Sequence, residues 1–244
     1  MPEDDGSLPE VCITSGMTQC SVPGPAGPLE ICRISDPEHR LSSEWSRTSR
    51  PAPPAVLQPL IPVPGVVPLG ELELIDAMQA GDVVVADGRK PEQYAKYTIP
   101  GAINLPFTDV EGALEALGCK RTGDGWDCSN ARKVAMFCNG VWCGQSPTAI
   151  RKMTEAGFPP DRILYYRNGM QGWLLQGLSV WTPGAADQAF QIVVTFRGLL
   201  PRLVAEHRGG HQADGNLGLR VVLGQHLGHA QPVEAALCAI GRLV

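Results

Sequence analysis

The chain has 244 residues and a formal net charge of -5 with no basic run, which argues against a nucleic-acid partner. No apolar stretch reaches membrane-spanning length, and the chain is long enough for one well-cored domain plus extensions. The start, Met1-Pro2-Glu3-Asp4-Asp5, lacks the basic and apolar regions of a signal peptide, so a cytoplasmic location is expected.

In chain order, residues 1–66 are rich in Pro, Ser and Gly. One short strand is expected at Leu29–Ile34, and Pro51 to Pro64 reads as an extended linker. Residues 67–183 form the main domain. Leu72, Ile75 and Met78 lie at helical spacing before Gly81, and Val83–Ala86 reads as a strand ending at Asp87. Pro91–Tyr97 is a short helix opened by a first-turn proline. Ala102–Leu105 is a short strand stopped by Pro106, and Asp109–Leu117 is helical, with Asp109 and Glu111 as surface charges at its start. Cys119 and Cys128 flank a Gly123-Asp124-Gly125 turn and are either a disulfide or two reduced thiols.

Val134–Phe137 is an apolar run that suits a strand buried on both faces of a parallel sheet. It ends on Cys138. A Gly-containing loop follows, and then a helix signalled by Ser146 as N-cap, Pro147 in the first turn and Gly157 as the stop. Ile163–Tyr166 is the next strand. Met170–Leu175 is a last short helix with Trp173 as its apolar anchor. Strands alternating with helices predict an α/β fold, a doubly wound and mainly parallel sheet flanked by helices. Ligands in such folds bind beyond the carboxyl ends of the strands, where Asp87, Cys138 and Arg167 all fall.

A thiol held between a strand end and a helix start is driven toward thiolate by unpaired backbone N–H groups and the helix dipole. Cys138 is therefore the candidate nucleophile; the competing reading is an inert buried cysteine. Asn139 and Gly140 tolerate left-handed turn angles. Trp142 either walls a pocket or faces solvent. Asp87 and Arg89 either orient loop groups or form a supporting ion pair.

Four ordered segments carry a resemblance. They are Val84-Val85-Ala86-Asp87-Gly88-Arg89 with Pro91-Glu92-Gln93-Tyr94; Ile99-Pro100-Gly101-Ala102-Ile103-Asn104-Leu105-Pro106; the Phe137-Cys138 loop; and Tyr166-Arg167-Asn168-Gly169-Met170-Gln171-Gly172-Trp173. Together, residues from about Leu69 to Trp181 resemble a single-domain rhodanese-like sulfurtransferase. Trp45-Ser46-Arg47-Thr48-Ser49-Arg50-Pro51 also resembles a leader found before some such domains, although Ala52-Pro53-Pro54-Ala55 lacks the cysteine that follows it there.

The resemblance implies that Cys138 attacks the sulfane sulfur of a donor such as thiosulfate, carries it as a persulfide and passes it to a thiol or cyanide-like acceptor, a protein thiol included. The rest of the loop, Asn139, Gly140, Val141, Trp142, Cys143, Gly144, Gln145 and Ser146, binds substrate, with its amides stabilising the anions. Asp87 and Arg89 support it. No cofactor and no metal are implied.

Two features depart from the family pattern. Gln145 stands where an arginine commonly precedes the helix, which weakens thiosulfate as donor and disfavours phosphatase-like or arsenate reductase chemistry. Cys143 shares the loop with Cys138 and either fills space or attacks a persulfide or sulfenate there to give an intraloop disulfide. Since related proteins are often exported, a start lying further upstream would place the chain in the periplasm. The alternative function is a noncatalytic rhodanese-like module that senses redox state or binds a partner.

Residues 184–244 contain His207, His211, His226 and His229, of five histidines in all, but Gly209 and Gly210 interrupt helical pairing of the first two. Phe190–Val204 and Val233–Val244 are candidate helices of a C-terminal extension with no assigned role.

Overall fold

The computed structural model describes residues 11–52 and 54–184. The helices expected at Phe190–Val204 and Val233–Val244, the four histidines beyond residue 184 and Cys238 lie outside the described residues. The elements in chain order are β1 (Gln19–Val22), β2 (Leu29–Cys32), β3 (Val67–Leu69), α1 (Glu71–Ala80), β4 (Val83–Asp87), α2 (Pro91–Lys96), β5 (Ile103–Asn104) and α3 (Val110–Ala116). There follow β6 (Lys120–Thr122), β7 (Gly125–Asp127), β8 (Lys133–Phe137), α4 (Gln145–Glu155), a 3₁₀ turn at Pro160–Arg162, β9 (Ile163–Tyr166) and α5 (Gly169–Leu175).

Five strands form one sheet in the order β3-β9-β8-β4-β5, and every pairing in it is parallel. Strand β8 lies at its centre. Side chains alternate across a strand, so Ala135 and Phe137 enter one core with Leu74, Ile75, Met78, Met170 and Trp173, while Val134 and Met136 enter the other with Leu114, Leu117, Ile150 and Met153. Helices thus cover both faces, and the uninterrupted apolar run of β8 is the sequence of a strand with no solvated side. Each fully buried aliphatic or aromatic side chain contributes about 1.5–3 kcal/mol to holding this arrangement.

Local signals fix the element ends. Gly81 closes α1 at φ 72°, a left-handed angle that a side chain would strain, and its N–H bonds Ala77 O. Asp109 caps α3 by accepting from Gly112 N at 2.9 Å. Beyond that helix, β6 and β7 pair as a hairpin closed by the Cys119–Cys128 disulfide, which resolves the two readings of that pair.

Three features differ from expectation. Short strands β1 and β3 carry too little periodicity to be read in advance. The hairpin β1–β2 supplies Val22 and Ile31 to the core beneath α1, so the stretch before the linker is partly structural. Helix α4 starts one residue before Ser146 with Gly144 at the N-cap, so Ser146 does not cap it; its hydroxyl is turned inward instead.

Candidate active site

Two buried polar clusters sit side by side beyond the carboxyl ends of β4 and β8. The first is built on Asp87, whose carboxylate accepts from Arg89 N at 2.9 Å, Arg89 Nε at 3.0 Å, Arg89 Nη2 at 2.7 Å and Thr98 Oγ1 at 2.8 Å. Arg89 Nη2 also donates to Tyr97 O at 2.6 Å. Both side chains are essentially inaccessible, 0 % and 2 % exposed. The ion pair therefore braces the strand-end turn, the supporting role among the two expected for Asp87 and Arg89. Gly88 N donates to Phe137 O at 2.8 Å and ties this turn to β8. A Cβ on Gly88 would sit 2.8 Å from Ser146 Oγ, so only glycine lets the start of α4 come this close.

The second cluster is the loop from Cys138 to Ser146. Cys138 leaves β8 with its carbonyl accepting from Met170 N, and Asn139 O accepts from Gln171 N, both at 2.9 Å, so the start of α5 holds the loop. Cys143 N donates back to Gly140 O at 2.9 Å and closes the turn. Gly140 is not among the positive-φ glycines, contrary to expectation. Its requirement is space: a Cβ there would press to 3.2 Å on Gln171 and 3.3 Å on the Trp142 indole nitrogen.

The turn brings the two loop cysteines together. Both are unoxidised and buried, Cys138 at 1 % and Cys143 at 4 % exposure. Cys138 Sγ lies 3.4 Å from Cys143 O. Asn139 Nδ2 donates to Cys143 Sγ at 3.5 Å and to Gln145 Oε1 at 3.1 Å, and Gln93 Nε2 holds Asn139 Oδ1 at 3.2 Å. Cys143 Sγ also lies 3.5 Å from Gln145 Oε1.

These contacts split the two thiols. The hydrogen bond from Cys138 pulls Cys143 down to about 6; burial opposes this, and the backbone N–H groups of Gln145 and Asn139 and the Asn139 amide add to it. Burial, reinforced by the neighbouring Cys143, pushes Cys138 well above the ordinary thiol range, while the hydroxyl and N–H of Ser146 pull the other way. Of the two thiols, Cys143 is therefore the one held low and Cys138 the one held high. The sequence places the ionised sulfur at Cys138, whereas the groups that lower a thiol here, the Cys138 hydrogen bond and then the amides of Gln145 and Asn139, act on Cys143. Ser146 Oγ is wholly buried beside Cys138 but finds no partner at full hydrogen-bond geometry.

Arm residues seal the loop from outside. Ala55 forms an isolated antiparallel bridge with Cys143, Val56 N donates to Trp142 O at 3.2 Å, and Gln58 N donates to Val141 O at 2.9 Å. Arg167 Nε holds Gln58 O at 2.8 Å, and Gln171 Nε2 holds Trp45 O at 2.8 Å. Trp142 donates to Gln171 Oε1 at 2.8 Å, while the Arg50 guanidinium stacks on its ring at 3.9 Å. Trp142 walls a cavity of about 620 Å³ shared with Trp45, Arg47, Arg50 and Leu57. Sequence reasoning missed Gln58, Gln93 and Gln171 in these roles, because lone polar residues on separate elements leave no spacing signal.

A thiol pair thus lies at the mouth of a parallel sheet in an α/β domain, on a loop pinned between two helix starts. Residues 72–176 match the family described as Rhodanese-like domain, and this chain contains such a domain. It is 35 % identical over 108 residues to an HTH-type transcriptional regulator of Mycobacterium tuberculosis, a match covering 44 % of this chain and 42 % of that protein. The chain therefore spans less than half the length of that curated relative. Similar solved structures include a thiosulfate sulfurtransferase from Pseudomonas aeruginosa, 25 % identical with a TM-score of 0.36, covering 48 % of this chain and 20 % of that one. A human single-domain sulfurtransferase is 19 % identical with a TM-score of 0.34, covering 44 % of this chain and 95 % of that one. No helix among the described residues is long and apolar enough to cross a membrane.

Proposed function

We propose that the domain is a sulfurtransferase that carries sulfane sulfur on Cys138. The observation that supports this reading most is the buried pair of unoxidised cysteines facing the unpartnered Ser146 hydroxyl. As Cys138 Sγ bonds to the outer sulfur of the donor, its proton passes to the Cys143 thiolate. The donor's bond to that sulfur breaks, and its electron pair leaves with the remainder, sulfite from thiosulfate or a thiolate from an organic persulfide. The new terminal sulfur is anionic, and Ser146 offers it a hydroxyl and an N–H from the start of α4. A thiol or cyanide-like acceptor then takes that sulfur and returns Cys138. Covalent catalysis of this kind divides one transfer into two easier steps. Because both sulfurs are closed off, the donor enters where residues 55–58 lift from the loop. Asn139, Gly140, Val141, Trp142, Gly144 and Gln145 shape the site, and Asp87 with Arg89 support it.

The same burial favours a second reading, a redox-sensing or partner-binding module, and the M. tuberculosis relative carries the name of a regulator. Incubation of the reduced protein, as wild type and as Cys143→Ser with its single loop thiol, with thiosulfate, mercaptopyruvate and polysulfide, followed by intact-mass measurement, separates the two. A gain of about 32 Da on the peptide holding Cys138 is the expected result. No gain from any donor, with the thiol accessible to an alkylating agent, assigns the second reading.

A further inference from the structure

We infer that Cys143 resolves the Cys138 persulfide, closing a Cys138–Cys143 disulfide and releasing hydrosulfide, so that the loop reduces sulfane sulfur as well as transferring it. This rests on the sulfur-carrying role of Cys138 proposed above. The turn closed by Cys143 N on Gly140 O sets the Cys143 carbonyl 3.4 Å from Cys138 Sγ, and the two thiol side chains lie within hydrogen-bonding reach of each other. Asn139 and Gln145 fix the Cys143 side chain from the far side. An attacking thiol is most effective when its pKa lies near the ambient pH, and Cys143 is held below the ordinary thiol value toward that range.

The step balances without an outside oxidant. The Cys143 sulfur attacks the inner sulfur of the persulfide, and the proton of Cys143 passes to the outer sulfur. One S–S bond forms between the cysteines, and the bond to the outer sulfur breaks. That sulfur leaves with the electron pair as hydrosulfide. The two cysteines are oxidised by two electrons, and the sulfane sulfur is reduced by two. A small dithiol or a protein dithiol then exchanges with the disulfide and returns both thiols.

Burial makes the internal route the faster one. At rest, Ala55, Val56 and Gln58 cover the loop, so an external acceptor must wait for the arm to open, whereas Cys143 is already in place. The inward thiol of Cys143 is thus assigned a function that neither a passive filler nor a simple transferase loop requires.

The test uses the full chain, reduced and freed of reductant under anaerobic conditions, with one equivalent of an organic persulfide as the probe, whose own leaving group is a thiolate and not hydrosulfide. Intact mass, peptide mapping and trapped hydrosulfide are followed together. Wild type is expected to release close to one equivalent of hydrosulfide and to end about 2 Da lighter, with the new disulfide mapped to residues 138 and 143. Cys143→Ser is expected to hold the persulfide, about 32 Da heavier, and to release little hydrosulfide. A wild type that keeps its persulfide as long as Cys143→Ser overturns the inference and leaves sulfur transfer standing. A chain that never gains sulfur in either form overturns both. Since wild type alone gives the deciding mass, a folding defect in the variant does not protect the inference.

Discussion

The Asp87–Arg89 cluster and the Cys138–Cys143 loop are neighbours at the ends of adjacent strands, equally buried and equally polar, yet they are built for opposite ends. In the first, all the donors aimed at the carboxylate find it, and the guanidinium left over reaches Tyr97 O. Nothing there can change without loss. In the second, one hydroxyl is left without a partner, and two thiols of like chemistry are driven apart in proton affinity. A saturated buried cluster fixes geometry, while a buried cluster with a donor in reserve has a use for it in another charge state.

The sharpest break between the two is chemical. Cys138→Ala is expected to reduce persulfide formation by about a thousandfold or more while leaving the fold intact, as measured by mass spectrometry and circular dichroism. Conversely, Asp87→Ala leaves the Arg89 charge buried without its partner and is expected to cost about 3–5 kcal/mol of stability in urea unfolding. Replacing both residues with apolar ones of similar volume should recover much of that loss.

Smaller effects sharpen the contrast within the loop. Ser146→Ala removes a hydroxyl with no resting partner, so stability should change by less than about 1 kcal/mol. Persulfide formation should nevertheless slow by about tenfold, the worth of one hydrogen bond to a charged group. Alkylation of Cys143 should follow a midpoint near pH 6: the rate is on a plateau from about pH 7 upward and falls about tenfold by pH 5, as the thiolate is protonated. An ordinary thiol would instead keep gaining rate through pH 8. Cys138→Ala should move the Cys143 midpoint upward, because it deletes the hydrogen bond that contributes most to lowering it.

Much of the fold is legible in the sequence because its strongest signals are local. Val134–Phe137 has no polar interruption, Gly81 and Gly157 mark helix ends, and Pro91 opens α2. The site is only half legible. Cys138 announces itself by lying at a strand end. The lowering of Cys143 depends on the Cys138 thiol, Gln145 and Asn139 meeting at the closed turn, an arrangement with no periodicity in the sequence. Ser146 looked like a cap because serine commonly is one, but helix α4 begins at Gln145 and frees the hydroxyl to face the sulfur. The arm was least legible: Ala55, Val56 and Gln58 join the loop through their backbones, so their side chains give no hint of it.

The most direct measurement is the mass of the Cys138 peptide from Cys143→Ser after one equivalent of polysulfide, taken before any acceptor is added. Sulfur carried on Cys138 gives a peptide about 32 Da heavier that returns to its starting mass when cyanide is supplied. An unchanged peptide, in protein whose Cys138 is shown to react with an alkylating agent, contradicts it.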